Sequence, residues 1–419
     1  MFRSALLTVV QLMSLNAVVG CADAETVPDG SIVLFRISGD QTIRDGRFGS
    51  LADFQQHLLP AAKKCGLTIA NDARFADGTF GSKTALVIAK LSACPDFRTS
   101  IAATDPARGG AVSSGFWRIV APDVALPDAI SRAHTMTLSY ESTDYVDIEF
   151  NTGTTDPGIL TWGPLGATAG QAQQVQAILL LVDQRFPHLI DQSFGSEAQA
   201  VRLFSNTRKT SSLESQVAEV KASPGRSTTW QSGFAALGAN RDVRDIYDTV
   251  MGDKGTSGIF EAIADFYCSY WSKGWKPTEI DYAFFFDRAV QMDVRQEKTN
   301  TAVTAVRDAE KRLNRSLTAA ERRRAISANF TASAQWAEDR LARDVAYYID
   351  GIPAASLTNN SLSALRDPSL ATGPVVKDEA AHWAKRSGKR ASDFGLSDDR
   401  VSPPPAGMVA ARTKCIAPQ

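Results

Sequence analysis

The chain has 419 residues, of which 44% are hydrophobic, and a formal net charge of −1. This length favours two or three domains with a sizeable core. The near-neutral charge gives no global field that would attract nucleic acid or a membrane surface. The four histidines are scattered without metal-ligand spacing, so we expect no metal and no cofactor. The predicted fold class is mainly α, with a small β element (α+β).

The first residues have the pattern of an export signal. Arg3 precedes an apolar run, residues 5–19, that is too short to span a bilayer. Two processing sites compete after it. Cys21 in VVGC resembles a lipobox cysteine, which would be lipidated, whereas ADA at residues 22–24 fits cleavage between small residues. We expect residues 1–24 to be a signal and the protein to be periplasmic or secreted, with a membrane as partner only through a lipid on Cys21.

The remaining cysteines are even in number, which in an exported protein favours disulfides. A bond between Cys65 and Cys94 would staple one small domain. A bond between Cys268 and Cys415 would tie the tail to the main body. Four cysteines allow three pairings, and buried free thiols are the alternative.

Residues 30–98 are predicted to form a small helical module. The run DGTFGSKT at residues 77–84 supplies a turn, a buried anchor at Phe80 and the start of a helix. It matches D-G-x-F-G-x-x-T, and the segment resembles the peptidoglycan-binding module of the small three-helix type. The resemblance implies a wall-binding module. A helical domain without a ligand is the alternative, because the matching residues are turn and packing residues.

A stretch rich in Ala, Gly, Ser and Pro, residues 99–122, predicts a linker, and a second domain is predicted over residues 113–297. Pro127 stands where proline favours the start of a helix. The apolar spacing after Gly170 predicts another helix, which ends before Pro187. The segment PTEIDYAFFFDRAVQMDV is apolar nearly all round, which predicts a buried central helix.

The C-terminal part, residues 298–384, is predicted to be a charged helical extension. Thr318 and Glu321 form a T-x-x-E capping box, which marks the start of a helix. The basic run at residues 322–324 is interpreted as the solvated face of that helix rather than as a nucleic-acid site. Residues 385–419 are polar and proline-bearing, and we expect a loosely ordered tail unless a disulfide anchors it.

Residues 137–170 contain five carboxylates and neither Lys nor Arg. Glu141 falls at the end of the helix that starts near Pro127. The alternation after Thr143 predicts a short strand, and ILTWG predicts another. Asp156 lies in a Pro-Gly turn between the two strands. The predicted order is helix, glutamate, hairpin with aspartate, then the next helix.

This placement suits the hydrolysis of a glycosidic bond. One carboxylic acid must give its proton to the leaving oxygen, and a second must stay ionised to activate a water. The two need different environments on separate elements, because the acid must keep its proton near neutral pH. Glu141 at the helix end is the candidate acid, and Asp156 in the turn is the candidate ionised partner.

The same residues resemble the lysozyme superfamily, in which a helix-borne glutamate faces a small β-lobe, and within it the bacterial chitosanases. The chitosanase motif D-x-x-x-x-T-x-G-x-x-G is matched by Asp156, Thr161, Gly163 and Gly166. The spacing from Glu141 is slightly shorter than usual. The resemblance implies a lysozyme-like helical domain in which Asp156 and Thr161 hold the attacking water, with inversion of configuration.

Further residues of the same stretch are candidates for substrate binding. Trp162 would stack on a sugar face or, alternatively, anchor the core of the small lobe. Tyr145 and Gly163 are candidate contacts beside it. The acids that would line the cleft are Asp144, Asp147 and Glu149, with Asp147 interpreted as surface charge.

A glycan is the expected partner, and two glycans remain open. Peptidoglycan is favoured by export, by the lipidation motif and by the N-terminal module. Chitosan is favoured by the motif spacing and by the acid-rich lobe, because a polyamine needs anionic subsites. Cleavage of β-1,4 bonds in peptidoglycan is the first hypothesis and chitosanase activity is the alternative. A non-catalytic wall-binding lipoprotein with a lysozyme-like fold is the hypothesis from another class.

Overall fold

The computed structural model describes residues 31–44, 50–69, 75–141, 144–152, 158–170, 172–254, 259–291, 296–329, 340, 343–349, 388–402 and 404. Within these ranges the chain forms fifteen α-helices and seven short strands, so the predicted mainly α class with a small β element is confirmed. No helix in this part of the chain is both long and apolar enough to cross a bilayer. The predicted signal and Cys21 lie outside the described residues.

The N-terminal segment is built around two helices that a disulfide joins. Cys65 follows the first helix, Cys94 ends the second, and their sulfurs are bonded as predicted. Cys268 is also in a disulfide, and its predicted partner Cys415 lies outside the described residues. The elements are β1 (Val33–Phe35), β2 (Ile43–Arg44), α1 (Ser50–Lys64), β3 (Thr79–Phe80), α2 (Ser82–Ala93) and α3 (Pro95–Arg98).

A buried glutamine organises the predicted turn before α2. Gln55 of α1 accepts a hydrogen bond from the Gly78 amide at 2.8 Å. Its side-chain nitrogen donates to Thr79 O at 3.0 Å and to Thr84 Oγ1 at 3.1 Å. Phe80 is fully buried, as predicted. The described residues of this motif therefore serve turn formation and packing.

The predicted linker at residues 99–122 is wrong. Trp117 in this stretch is fully buried and stacks on Phe54 of α1, with ring centroids 4.2 Å apart. Aromatic burial here outweighs the loop-like Ala and Gly content, so the stretch is part of the N-terminal fold. Its elements are a 3-10 helix (Pro106–Gly109), β4 (Val112–Ser113), which pairs with β1, and α4 (Ser114–Val120).

The predicted helix and hairpin of the acid-rich stretch are present. α5 (Ala129–Glu141) leads into a three-stranded antiparallel sheet whose central strand is the second. Its first two strands pair Glu149 with Thr161. The strands are β5 (Ile148–Phe150), β6 (Leu160–Trp162) and β7 (Ala167–Thr168).

The helices after the sheet form a core with it, which we call the second core. Its buried apolar residues run from Tyr145 to Met251 without interruption by other segments. The helix predicted to end before Pro187 is confirmed, and Pro187 opens the next helix. The helices are α6 (Gln174–Arg185), α7 (Pro187–Phe194), α8 (Ala198–Asn206), α9 (Thr210–Ala222), α10 (Pro224–Ala239) and α11 (Arg241–Lys254).

The first core joins both ends of the described chain. Its buried apolar residues come from 34–140 and again from 259–396. The N-terminal segment, α5 and the C-terminal helices therefore share one hydrophobic core. Its central helix, predicted from sequence, is buried on every side from Glu279 to Ala289. The C-terminal helices are α12 (Ile259–Trp271), α13 (Glu279–Gln291), α14 (Gln296–Leu313) and α15 (Ala319–Asn329).

The structure contradicts the prediction of a solvated basic run and describes part of the C-terminal tail. Arg323, in the basic run interpreted as a solvated face, is almost fully buried, and its guanidinium pairs with Asp281 at 2.8 Å and with Asp398 at 2.7 Å. Residues 388–402, expected to be loosely ordered unless a disulfide anchors the tail, are packed on the first core, where Phe394 is fully buried. Asp398 of this segment is the partner of Arg323, and the local charge pattern around Arg323 does not reveal it.

Candidate active site

α5 places Glu141 at the border between the first core and the sheet. Buried polar contacts hold the helix in place. Arg132 Nε donates to Phe394 O at 2.9 Å, and His134 Nε2 lies 2.9 Å from Tyr282 Oη. Glu141 is the last residue of α5. The structure thus fixes the backbone of the predicted acid, while its side chain lies outside the described part.

Asp156 lies outside the described residues, but the chain on both sides of it is described. The Asn151 amide donates to Ile159 O at 2.8 Å and closes the base of the hairpin. Gly158 O accepts hydrogen bonds from the Leu160 amide at 2.7 Å and from the Gly170 amide at 2.9 Å. Both ends of the connection that carries the predicted base are therefore held by the sheet.

Ile159 carries backbone strain next to the predicted site. Its φ is +61°, and its side chain is buried in the second core. For a β-branched residue the left-handed region is a true outlier that costs about 1–3 kcal/mol, and such strain clusters at functional sites. The strained residue stands between Asp156 and Thr161 in the chain. The hairpin that carries Thr161 therefore contains an unfavourable backbone conformation at Ile159.

Thr161 lies on the face of the sheet opposite the second core. Both its neighbours in β6 are fully buried, and alternation along a strand puts Thr161 on the other side. Across the sheet it stands between Glu149 of β5 and Thr168 of β7. Asn151 Nδ2 donates to Thr161 Oγ1 at 2.8 Å. This polar face, formed by Glu149, Asn151, Thr161 and Thr168, thus holds a hydroxyl in a fixed place, where it can orient a water.

Trp162 and Tyr145 are core residues. Trp162 is fully buried, donates from Nε1 to Tyr145 O at 2.6 Å, and packs edge-on against Phe234. Tyr145 is also buried, and its hydroxyl donates to Asp248 Oδ1 at 2.7 Å. Neither ring offers a face to a ligand, so stacking of Trp162 on a sugar is wrong and its alternative role as a core anchor is confirmed. The predicted contact at Tyr145 is wrong for the same reason.

Gly163 serves the sheet rather than a ligand. Its φ is +73°, and a Cβ there would lie 2.8 Å from the ring of Tyr247. That ring can approach because Gly163 has no side chain. The Tyr247 hydroxyl donates to Trp162 O at 2.9 Å and accepts from the Leu165 amide at 3.0 Å. A tyrosine from α11 thereby fixes the turn between β6 and β7.

Asp144 is held by an arginine of the N-terminal segment. Arg44 Nη1 lies 3.1 Å from Asp144 Oδ2, and Asp144 Oδ1 accepts the Tyr145 amide at 2.6 Å. Asp147 is exposed and accepts the Asp144 amide on Oδ2 at 2.7 Å. Glu149 is exposed on the polar face. Asp144 thus joins the N-terminal segment to the chain that follows the predicted acid.

Three contributors to this region were missed from sequence. Asn151 was not singled out, although its even spacing from Glu149 puts it on the face of Thr161. Lys221 of α9 donates to Phe150 O at 3.1 Å and to Thr152 O, where β5 ends. Neither Lys221 nor Arg44 carries a sequence signal, because each reaches the site from a distant segment.

The described residues also contain one group of potential metal-ligand atoms. Cys65, Cys94 and Asp96 place three of them within 4.8 Å of one another. The two sulfurs are joined to each other in the disulfide, so they are not available as thiolate ligands.

Comparison with known proteins gives no match, whether with protein-family models, with curated proteins or with solved structures.

Proposed function

We propose that the protein is an exported glycoside hydrolase that cleaves β-1,4 bonds of an amino-sugar glycan, with peptidoglycan as the first substrate. The observation that carries the proposal is the polar face, where Asn151 holds the Thr161 hydroxyl two residues after the strained Ile159. The disulfide between Cys65 and Cys94 supports an oxidising compartment, as export requires.

In this proposal the two acids and the threonine divide the reaction. Glu141, at the end of α5, gives its proton to the leaving glycosidic oxygen. Asp156 removes a proton from a water on the opposite face of the sugar, and Thr161 holds that water. Attack on the anomeric carbon from this side inverts its configuration. Separations of about 6.5–9.5 Å between the two carboxyl groups are typical of such inverting enzymes.

Chitosan is the second candidate substrate. Asp147 and Glu149 are exposed at the start of the sheet, and Glu149 stands directly across from Thr161. Carboxylates at these positions would attract the ammonium groups of a polyamine. The choice between the two glycans therefore depends on charge around the cleft rather than on the reaction.

The test is a comparison of turnover on purified cell-wall sacculi and on soluble chitosan. Glu141→Gln and Asp156→Asn should each lower the rate of reducing-end release by about 10²–10⁴-fold, since each removes a proton-transfer group. NMR of the first product should show the inverted anomer.

Matched controls are available on exposed helix positions. Glu219→Gln on α9 and Asp245→Asn on α11 make the same chemical changes at exposed positions and should keep wild-type turnover and melting. If Glu141→Gln and Asp156→Asn retain wild-type turnover on every glycan that the protein cleaves, the assignment of the acid pair is wrong. Binding of sacculi by a protein that releases no reducing ends would instead identify a non-catalytic wall-binding protein.

A further inference from the structure

We propose that Arg44 is a specificity-determining residue that binds a carboxylate of the glycan and so favours peptidoglycan, whose stem peptides are anionic, over chitosan. The inference rests on the proposed function and names the substrate class of that site. It also gives the N-terminal segment a direct role in substrate binding, in place of that of a separate wall-binding module.

Arg44 is held close to the predicted acid by two elements. It ends β2, which pairs with β3 of the N-terminal segment in the register Arg44–Thr79. Its guanidinium then meets Asp144, three positions after Glu141 in the chain. β2 also packs against α5, the helix that ends at Glu141.

The Arg44 side chain is open to solvent over more than half of its surface. The Arg44 side chain is 60% exposed, whereas that of Asp144 is only 10% exposed. The contact to Asp144 uses Nη1, at 3.1 Å. A guanidinium has five N–H donors in a planar fork, so the other nitrogens can still bind a carboxylate in a bidentate manner. The contact with Asp144 restricts the orientation of the Arg44 guanidinium. It therefore reduces the side-chain entropy that is lost when a ligand binds.

The charge at this position separates the two candidate substrates. A guanidinium attracts the carboxylates of stem peptides and repels the ammonium groups of chitosan. The exposed acids Asp147 and Glu149 act in the opposite sense. Arg44 adds a positive charge beside Asp144, and this charge favours an anionic glycan.

The experiment measures binding without turnover. The full mature chain with Glu141→Gln is mixed with sacculi, with chitin oligosaccharides or with chitosan at low salt, and apparent Kd values are determined. Arg44→Gln should weaken binding to sacculi on the order of tenfold, as expected for loss of one charge-assisted contact. Arg44→Glu should weaken it further and tighten binding to chitosan. Neither change should alter binding to neutral chitin, and Arg44→Lys should restore part of the preference for sacculi.

Lys63→Glu is the matched control, because it makes the same charge change at an exposed position of α1. If Lys63→Glu and Arg44→Glu weaken binding to sacculi equally, or if Arg44→Glu has no effect, the inference is overturned. Melting curves of all variants exclude loss of fold as the cause. Because the readout is binding, it stays separate from the turnover test of Glu141 and Asp156. A parent chain that binds none of the three glycans would overturn both proposals.

Discussion

The two hydrophobic cores handle charge in opposite ways. In the first core Asp287 is fully buried and is paired with Arg340 at 2.5 Å and with Arg343 at 2.7 Å. In the second core the comparable arginine, Arg202, lies near the surface, where it pairs with Asp183 at 2.9 Å and both side chains remain about a quarter exposed. The second core is instead filled by edge-to-face aromatic contacts. Its ring contacts include Trp162–Phe234, Phe194–Phe234 and Phe204–Trp230.

This difference follows the path of the chain. The second core is made by one continuous stretch, so neighbouring helices meet through short connections. The first core must bring together segments far apart in sequence, and its ion pairs join those segments. Arg343 and Asp287 are 56 positions apart, and Arg400 and Glu279 are 121 apart. Apolar contacts are non-directional and form between many pairs of segments. A buried charge lowers stability unless an oppositely charged group pairs with it, so ion pairs select which segments meet.

The largest expected effect comes from removing one buried carboxylate of the first core. Burial raises the pKa of Asp287, but Arg343 and Arg340 outweigh burial and hold the pKa below its usual value. The carboxylate is therefore ionised at neutral pH. Asp287→Asn should cost about 3–5 kcal/mol of unfolding free energy, because it leaves buried arginines without their counter-charge. Urea unfolding at pH 7 measures the loss.

The matched change in the second core is Asp183→Asn, which should cost less than about 1 kcal/mol because the pair is near the surface. Hydrogen exchange should locate the damage of Asp287→Asn in α13 and leave α10 protected. Equal losses from the two variants would contradict the proposed division between the cores.

Removing the N-terminal disulfide tests whether the first core needs a covalent constraint as well. Cys65 and Cys94 are 29 positions apart, and a loop of this length predicts a loss of roughly 3–4 kcal/mol in the double Cys→Ser variant. The effect should appear in α1 and α2 by hydrogen exchange. Residues 145–251 contain no cysteine, so the second core provides the internal control. Unchanged unfolding of the variant would show that the apolar contacts of α1 suffice.

In the second core, tight packing takes the place of charge. A Cβ at Gly238 of α10 would lie 1.9 Å from Tyr145 O, a backbone atom that cannot move independently. Gly238→Ala should therefore cost about 2–3 kcal/mol by overpacking. Gly225→Ala, in the first turn of the same helix, meets no atom within 4 Å and should be neutral or slightly stabilising. Similar melting temperatures for the two variants would argue against close packing between α10 and the backbone of Tyr145.

Secondary-structure elements could be predicted from the sequence more readily than tertiary contacts. The buried helix α13, the hairpin β5–β6 and the capped start of α15 were predicted because each depends on a local pattern of apolar or capping residues. The burial of Arg323 was missed, since its partner Asp398 is 75 positions away. The packing of residues 388–402 was missed for the same reason. A polar composition indicates that burying a segment without partners would cost free energy. It does not reveal that the fold supplies such a partner.

In the candidate site, too, local features could be predicted and contacts from distant segments could not. The hairpin and the place of Thr161 in it could be predicted from alternation. The fixing contact from Asn151 could have been predicted from the same alternation. Arg44 and Lys221 could not, because tertiary folding alone brings them to the sheet. Trp162 shows the opposite limit, since an aromatic residue beside a turn is equally typical of a binding platform and of a core anchor.

The smallest expected effect concerns a partly exposed carboxylate on α15, the helix that also carries the buried Arg323. Glu321 accepts the Thr318 amide at 2.9 Å and two hydrogen bonds from Arg315, at 2.7 and 2.8 Å. Chiefly through the Arg315 hydrogen bonds, the pKa of Glu321 falls from 4.5 to about 2. A lowered pKa means that the stabilisation is present above pH 4.5 and is lost as the pH falls through about 2. Solvent near this pair limits the effect to less than about 1 kcal/mol.

Two variants separate charge from capping at this position. Glu321→Gln keeps an acceptor for the Thr318 amide, so it should remove only the acid-dependent part of the stability. Glu321→Ala should lose the cap as well, at about 1 kcal/mol across the whole pH range. Unfolding free energies between pH 6 and pH 2.5 provide the measurement. If the difference between wild type and Glu321→Gln stays constant over this range, Glu321 contributes through hydrogen bonding alone, and the charge pair with Arg315 adds nothing to the helix.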